Sequence, residues 1–380
     1  MTVDMPVDAA ALIARARRVT VKIGSSLLVD AGEMGLRREW IGTVAQDMAG
    51  LIQAGRKLLL VSSGAVALGR AKLSLKRSAR LDLKQAAAAA GQPLLMRAWD
   101  EAMARTGIAT AQILLTIGDT ESRRRWLNAR ATLDVLLAQG ALPIVNENDS
   151  VATEELRYGD NDRLSARVAQ MMRCDLLVIL SDVDGLYTGD PAKDPGARHV
   201  PYLRSITADV EAWAGGSALA GMGSGGMRTK LAAARIAGAF GCATIIASGR
   251  DDHPLGRLQS GERRATVIGA SGTPARAYKQ WIAGTLVPAG SCEVDDGAAV
   301  ALAAGKSLLP AGVRAVRGSF ERGVCLRVLD ATGREIARGL SAYNSAEAAA
   351  ICGCSSAAVA ERLGYRGRPE LIHRDDLVLM

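Results

Sequence analysis

Six short apolar runs, separated by longer segments of helical character, constrain this 380-residue chain more than any other feature. The runs are Val19–Ile23, Lys57–Val61, Thr110–Leu115, Leu142–Val145, Leu176–Leu180 and Ala243–Ala247. Between them lie alanine-, leucine- and arginine-rich stretches such as Arg38–Ala54, Lys84–Arg105, Ala129–Gln139 and Arg163–Met172. Runs of that length without polar alternation suit strands covered on both faces. Strand–helix alternation therefore predicts an α/β fold, a mostly parallel sheet sandwiched by helices. In open sheets of this kind ligands collect beyond the carboxyl ends of the strands. The polar, glycine-rich clusters sit there: Gly24-Ser25-Ser26, Ser62-Ser63-Gly64, Asn146-Glu147-Asn148-Asp149 and Ser181-Asp182.

The pattern changes near Arg276–Pro288. Beyond it glycine turns are frequent, and Val324–Leu329 and Glu335–Ala337 read as strands of a small β-rich domain, with one helix-like interval at 346–363. The expected organisation is an N-terminal extension at 1–15, a large domain at 16–285, a small domain at 288–368 and a tail at 369–380.

Charge and composition exclude several classes. No apolar run approaches the roughly 18 residues of a membrane span, and the N-terminus lacks the order of a signal peptide, so a cytoplasmic protein is expected. The six cysteines are scattered, and Cys352-Gly353-Cys354 has no second pair at zinc spacing, so reduced structural thiols are expected. His199, His253 and His373 are too far apart in sequence to suggest histidine-centred acid–base chemistry. The net charge of +8 raises nucleic acid as a partner. From Pro288 to the end, however, 11 Lys and Arg balance 11 Asp and Glu, so the excess lies wholly in the first 287 residues. There it falls largely on helical segments such as Arg70–Arg80 and Arg123–Arg130, which read as solvated faces.

Two segments combine glycine, hydroxyl and lysine. Val21-Lys22-Ile23-Gly24-Ser25-Ser26 follows the first strand, and Gly221 to Lys230 precedes an alanine-rich helix. A lysine within a strand is costly to bury unpaired, and an adjacent anion pocket would remove that cost. Thr229 and Lys230 fall in the first turn of the second segment's helix, where N–H groups and dipole favour anions. Gly64 to Gly69 has P-loop glycine spacing but lacks its Lys and Ser/Thr. Gly221, Gly223 and Gly226 match G-x-G-x-x-G, yet no strand precedes them. Of the polar clusters, Asp149 could pair with a ligand ammonium, Asn161 donate to a carboxylate, and Asp162 hold a lysine.

Together, Val21–Ser26, Val61-Ser62-Ser63-Gly64-Ala65, Pro143–Ala152, Gly159-Asp160-Asn161-Asp162, Leu180-Ser181-Asp182 with Gly185–Thr188, and Ser224–Lys230 resemble the amino acid kinase family. Ser307–Pro310, Arg338–Ser345, Leu363-Gly364-Tyr365 and His373–Asp376 extend the match into a PUA-like tail. Ser25, Ser62, Ser181 and Ser224 stand where the family often has Thr, and the hydroxyl is kept. The resemblance implies ATP-dependent phosphorylation of the side-chain carboxylate of L-glutamate to L-glutamyl 5-phosphate, first step of proline biosynthesis. It implies Lys22, Lys230 and Asp162 as catalytic residues. ATP would meet Lys22, Gly24, Ser25, Ser181, Asp182 and the loop Ser224, Gly225, Gly226, Met227, Arg228, Thr229, Lys230. Ser63, Asp149 and Asn161 would hold glutamate, and Mg2+ would be held mainly through ATP. It further implies proline as feedback inhibitor and a homo-oligomer built through the large domain. The rivals are sister kinases acting on acetylglutamate, aspartate, carbamate or UMP, and RNA binding by the PUA-like tail, which its neutral charge and few aromatics disfavour.

Overall fold

The computed structural model describes residues 8–29, 35–78, 80–151, 161–214, 226–270, 272–284, 287–355 and 357–380. The chain divides into two compact units, one of residues 1–121 and 129–274, the other of 122–128 and 275–380.

The first unit is built on strands β1 (Arg18–Ile23), β2 (Lys57–Ser62), β3 (Thr110–Leu115), β4 (Leu142–Glu147), β5 (Leu176–Ser181), β6 (Leu186–Tyr187), β7 (His199–Val200), β8 (Tyr202–Leu203), β9 (Ala243–Ser248) and β10 (Ala265–Ile268). Eight of these form one sheet in the order β3-β4-β2-β1-β5-β9-β10-β8, while β6 and β7 pair separately. All pairs from β3 to β9 are parallel, and β10 is antiparallel to β9. The parallel core follows from the sequence: β4 and β5 are buried at every position and β1 and β2 at all but the first, so helices must cover both faces. The helix Arg38–Gln53 supplies one cover, burying Trp40, Ile41, Val44, Ala45 and Met48.

All six apolar runs form strands, but the polar ends run on. Asn146 and Glu147, expected after the strand, are its last two residues and pair with Leu114 and Leu115 of β3. The ladder joins main chains, so it continues where side chains turn polar. The expected N-terminal extension also carries regular structure. Residues Ala9–Arg15 form a helix capped by Asp8, whose Oδ1 accepts from Ala11 N at 2.7 Å. Its Ile13 is buried in the unit's core.

One helix pair fixes the site. Helix Ala65–Lys72 crosses helix Leu81–Ala104 at Gly69 and Gly91. A Cβ on Gly69 would lie 1.6 Å from the Ala87 carbonyl oxygen, and one on Gly91 would lie 1.9 Å from that of Ala65. Gly69 is thus a packing glycine, which explains why its P-loop spacing carries no phosphate chemistry.

The second unit contains β11 (Gly290–Val294), β12 (Val313–Arg317), β13 (Cys325–Leu329), β14 (Glu335–Leu340) and β15 (Leu377–Leu379), ordered β12-β11-β13-β14-β15. The expected tail, 369–380, ends in the strand β15, antiparallel to β14. Residues 275–284 of helix Pro274–Gly284 fall in this unit, which begins there ahead of the sequence-expected 285–288. Tyr278 is buried, stacks on Trp126 with centroids 6.3 Å apart and donates to Asp376 Oδ1 at 3.0 Å. The helix-like interval resolves into two helices, Ser345–Ala350 and Ala358–Leu363, the first with a capping box between Asn344 and Glu347.

Candidate active site

From β1 the chain places β2, β4 and β3 to one side and β5, β9, β10 and β8 to the other. Strand order therefore diverges at β1 and β5, and their carboxyl ends frame the expected crevice. Lys22 is the penultimate residue of β1, in register with Val61 and Ile179.

Three ionised side chains meet there. Lys22 Nζ lies 2.5 Å from Asp162 Oδ1, and Lys230 Nζ lies 3.3 Å from Asp162 Oδ2. Lys22 and Lys230 are 5% and 3% exposed and Asp162 is fully buried, so these charges interact with little solvent screening. Asp162 stands in the first turn of helix Asn161–Met171, where the helix dipole favours an anion. The Thr229 hydroxyl lies 2.9 Å from Asp162 Oδ2 and 2.7 Å from the Gly226 carbonyl oxygen. Burial pushes the Asp162 carboxyl up, but the Lys22 and Lys230 charges, with hydrogen bonds from Lys22 and Thr229, outweigh it and hold the group below its ordinary value. Two ammonium groups against one carboxylate leave these three residues with a formal balance of +1, suited to a further anion.

A second group adjoins the first through the Asn161–Asp162 peptide. Asn161 Nδ2 donates to Ser63 Oγ at 2.7 Å and to Asn146 Oδ1 at 2.9 Å. Both amide hydrogens are thereby used. The expectation that Asn161 donates to a ligand carboxylate is therefore corrected: the atom left over is its carbonyl oxygen, buried without a partner among the described residues. The Ser63 hydroxyl accepts from Asn161 and keeps its own proton for donation. Asn146 Nδ2 donates to Gln92 Oε1 at 2.8 Å, and Trp99 Nε1 donates to Ser62 Oγ at 2.9 Å, so the long helix Leu81–Ala104 braces this wall twice.

Asp149 opens a short 3-10 turn, Asp149–Val151, directly after β4. It has no ion-pair partner among the described residues, and burial pushes its carboxyl from 3.8 up to about 6. Asp149 is therefore a desolvated anion whose burial cost a cation would offset.

Gly24 lies beside the first group, since a Cβ there would stand 3.8 Å from Lys22 Nζ. Ser25 begins the short helix Ser25–Leu28. At the end of β5, Ser181 is buried and donates to Asp182 Oδ1 at 3.0 Å, while Arg250 Nε donates to the Asp182 carbonyl at 2.8 Å. Gly226 caps helix Met227–Ala239, whose first turn carries Met227, Arg228, Thr229 and Lys230. Ser224 and Gly225 lie outside the described residues. Among those described, no three His, Cys, Asp or Glu side chains cluster to hold a metal ion, all six cysteines are thiols, and no helix is long and apolar enough to cross a membrane. The sequence reading missed Gln92, Trp99 and Arg250. A glutamine between Gly91 and Pro93 in an alanine-rich helix was the available signal for the first.

A parallel sheet whose switch point carries two buried lysines on one carboxylate is an arrangement for handling a transferable anionic group. The amino acid kinase family profile matches residues 17–248, and the PUA domain profile matches residues 290–363. The chain belongs to the amino acid kinase family. It is 58% identical over 366 residues to the glutamate 5-kinase of Caulobacter vibrioides, covering 96% of this chain and 97% of that protein. To glutamate 5-kinase 1 of Mesorhizobium japonicum it is 56% identical over 364 residues, 96% of each. Among solved structures, UMP kinase from Ureaplasma parvum aligns with a TM-score of 0.46 at 12% identity, covering 67% of this chain and 99% of that one.

Proposed function

We propose that this protein is a glutamate 5-kinase, transferring the γ-phosphoryl group of ATP to the side-chain carboxylate of L-glutamate. The observation that carries the reading is the convergence of Lys22 and Lys230 on Asp162. A glutamate side chain of pKa near ~4.3 is already ionised at neutral pH, so its attack on phosphorus needs no general base. One carboxylate oxygen forms the new P–O bond as the bond to the ADP oxygen breaks. The obstacle is repulsion between two anions, which fixed positive charge and alignment reduce.

In this reading Lys22 and Lys230 flank the group in flight and Asp162 holds both in place. Gly24, Ser25, Ser181, Asp182 and the Ser224–Lys230 loop contact ATP. Ser63 donates its free proton to the substrate, and Asp149 takes its ammonium. Asn161 keeps its place beside the substrate as an acceptor. Mg2+ would be held mainly through ATP, where it would supply neutralisation of phosphate charge beside Lys22 and Lys230. A homo-oligomer, feedback inhibition by proline and a cytoplasmic location belong to the same proposal.

The test is ADP release with and without L-glutamate, hydroxylamine trapping the acyl phosphate. Glutamate-dependent release with hydroxamate formation is expected. Release dependent instead on acetylglutamate, aspartate, carbamate or UMP would overturn the assignment. Proline titration in the same assay and a scattering mass check the regulatory and oligomer proposals.

A further inference from the structure

We propose that Gln92 is a positioning residue that sets which substrates the acceptor site accepts, by fixing the orientation of two asparagine side chains between itself and the substrate. The proposal rests on the reading of the acceptor as an amino acid. No role in the reaction follows for Gln92 from its own place, deep in helix Leu81–Ala104 and 8% exposed. Its role follows from the hydrogen bonds.

The backbone N–H of Glu147 can only donate, and it reaches Asn146 at 2.9 Å. The Asn146 atom facing it is therefore the oxygen. That oxygen also receives Asn161 Nδ2, also at 2.9 Å, so the Asn161 atom facing it must be the nitrogen. The Asn161 oxygen is thereby turned the other way, buried and without a partner among the described residues. On the far side, Asn146 Nδ2 must find an acceptor, and Gln92 Oε1 at 2.8 Å provides it. Each link admits one polarity only. The outcome at the substrate end is a buried acceptor at Asn161 and a hydroxyl proton at Ser63, 2.7 Å from Asn161 Nδ2. An acceptor there welcomes a substrate ammonium and leaves an unpaired polar atom when the substrate lacks one, which is the strong form of discrimination.

Without an acceptor at position 92, Asn146 Nδ2 is buried unpaired. The Asn146 oxygen stays on Glu147 N, but the amide loses the contact that pins its nitrogen end, so it rocks and its hold on Asn161 Nδ2, and with it the aim of the Asn161 oxygen at the ammonium, loosens. Gln92 reaches its position because Gly91, its neighbour, allows the helix to approach the Ala65 carbonyl closely. The relay thus depends on a packing contact as well as on side chains.

The experiment compares L-glutamate with glutarate, which offers the same carboxylate without the ammonium, in wild type, Gln92→Met and Gln92→Glu. Met matches glutamine in length and cannot accept the bond. Glu restores an acceptor. Losing one buried hydrogen-bond partner weakens an equilibrium by roughly tenfold. Gln92→Met should therefore lower kcat/KM for glutamate by about that factor. Glutarate turnover and KM for ATP should stay unchanged, so the glutamate-to-glutarate ratio falls equally. Gln92→Glu should keep the ratio near the wild-type value. Equal losses on both substrates, or an unchanged ratio, would overturn the relay. If Met is not accepted in the fold, Gln92→Ala, which only removes atoms, answers the same comparison. A wild-type protein inactive on glutamate would refute the functional reading and this inference together. An active wild type with an unchanged ratio in Gln92→Met refutes the relay alone.

Discussion

Replacing Asp149 with asparagine should strengthen the free protein and weaken its grip on glutamate, two effects of opposite sign from one charge. Burial raises the Asp149 carboxyl from 3.8 to about 6. At 1.36 kcal/mol per pK unit, keeping that group ionised in the folded protein costs about 3 kcal/mol relative to the unfolded chain. The sign follows from proton counting. Between 3.8 and about 6 the folded state binds more protons than the unfolded one, so stability falls as pH rises through that window. Above it the full cost is present, and below the ordinary carboxylate value none remains. The asparagine variant carries no charge at this position, so at pH 8 it should gain up to about 3 kcal/mol, less whatever its amide leaves unbonded. For a unit of this size that is on the order of several degrees in Tm, shrinking toward pH 4. In the wild type a substrate ammonium offsets the buried charge, and that contribution is lost in the variant. KM for glutamate should rise by roughly 10²-fold with little change for ATP. The wild-type kcat/KM for glutamate should also rise with pH through about 6, a limb absent from the variant. Thermal melts at pH 8 and 4.5, with steady-state kinetics, give all of these. A variant that melts lower at pH 8, or that raises both KM values equally, would refute the reasoning.

Three further outcomes follow from the same geometry. Lys230→Ala leaves Asp162 paired with Lys22, so the protein should fold with near-normal Tm while kcat falls roughly 10²- to 10³-fold; near-normal turnover would remove Lys230 from the chemistry. Asp162→Asn strips the anion from two buried ammonium groups and should cost about 3–5 kcal/mol in denaturant titrations as well as activity. Because the Asp162 carboxyl is held below its ordinary value, its contribution is full above the ordinary carboxylate range and lost as pH falls through the lower one, so the variant's deficit should narrow in strong acid. Gly91→Ala drives a methyl to 1.9 Å from a backbone carbonyl and should cost about 1–3 kcal/mol. It should also raise KM for glutamate more than for ATP, because Gln92 moves with it.

What the sequence disclosed and what it withheld divide along one physical line. The strands of the large sheet were legible because β1, β2, β4 and β5 are buried on both faces, so their residues are apolar without interruption. The short β6, β7, β8 and β10 carry no comparable run and were missed. Lys22, Asp162 and Lys230 were legible because a charge placed beside a strand or a glycine-rich loop needs a reason to be there. Helix Ala9–Arg15 was not: its core contact rests on buried Ile13 with partly buried Ala9 and Leu12, an apolar face too short to stand out in the chain. Gln92 was hidden for a related reason. A glutamine in a helix is unremarkable until the partner 54 positions away is known, and no local period encodes that partner. Gly69 shows the converse: its spacing from Gly64 matches a P-loop without the residues that would touch phosphate, and its role is close packing against Ala87. Charges announce a site because their burial is expensive in any context. Neutral amides that set its polarity are inexpensive to bury once bonded, so the residues that decide specificity leave the faintest trace in the chain.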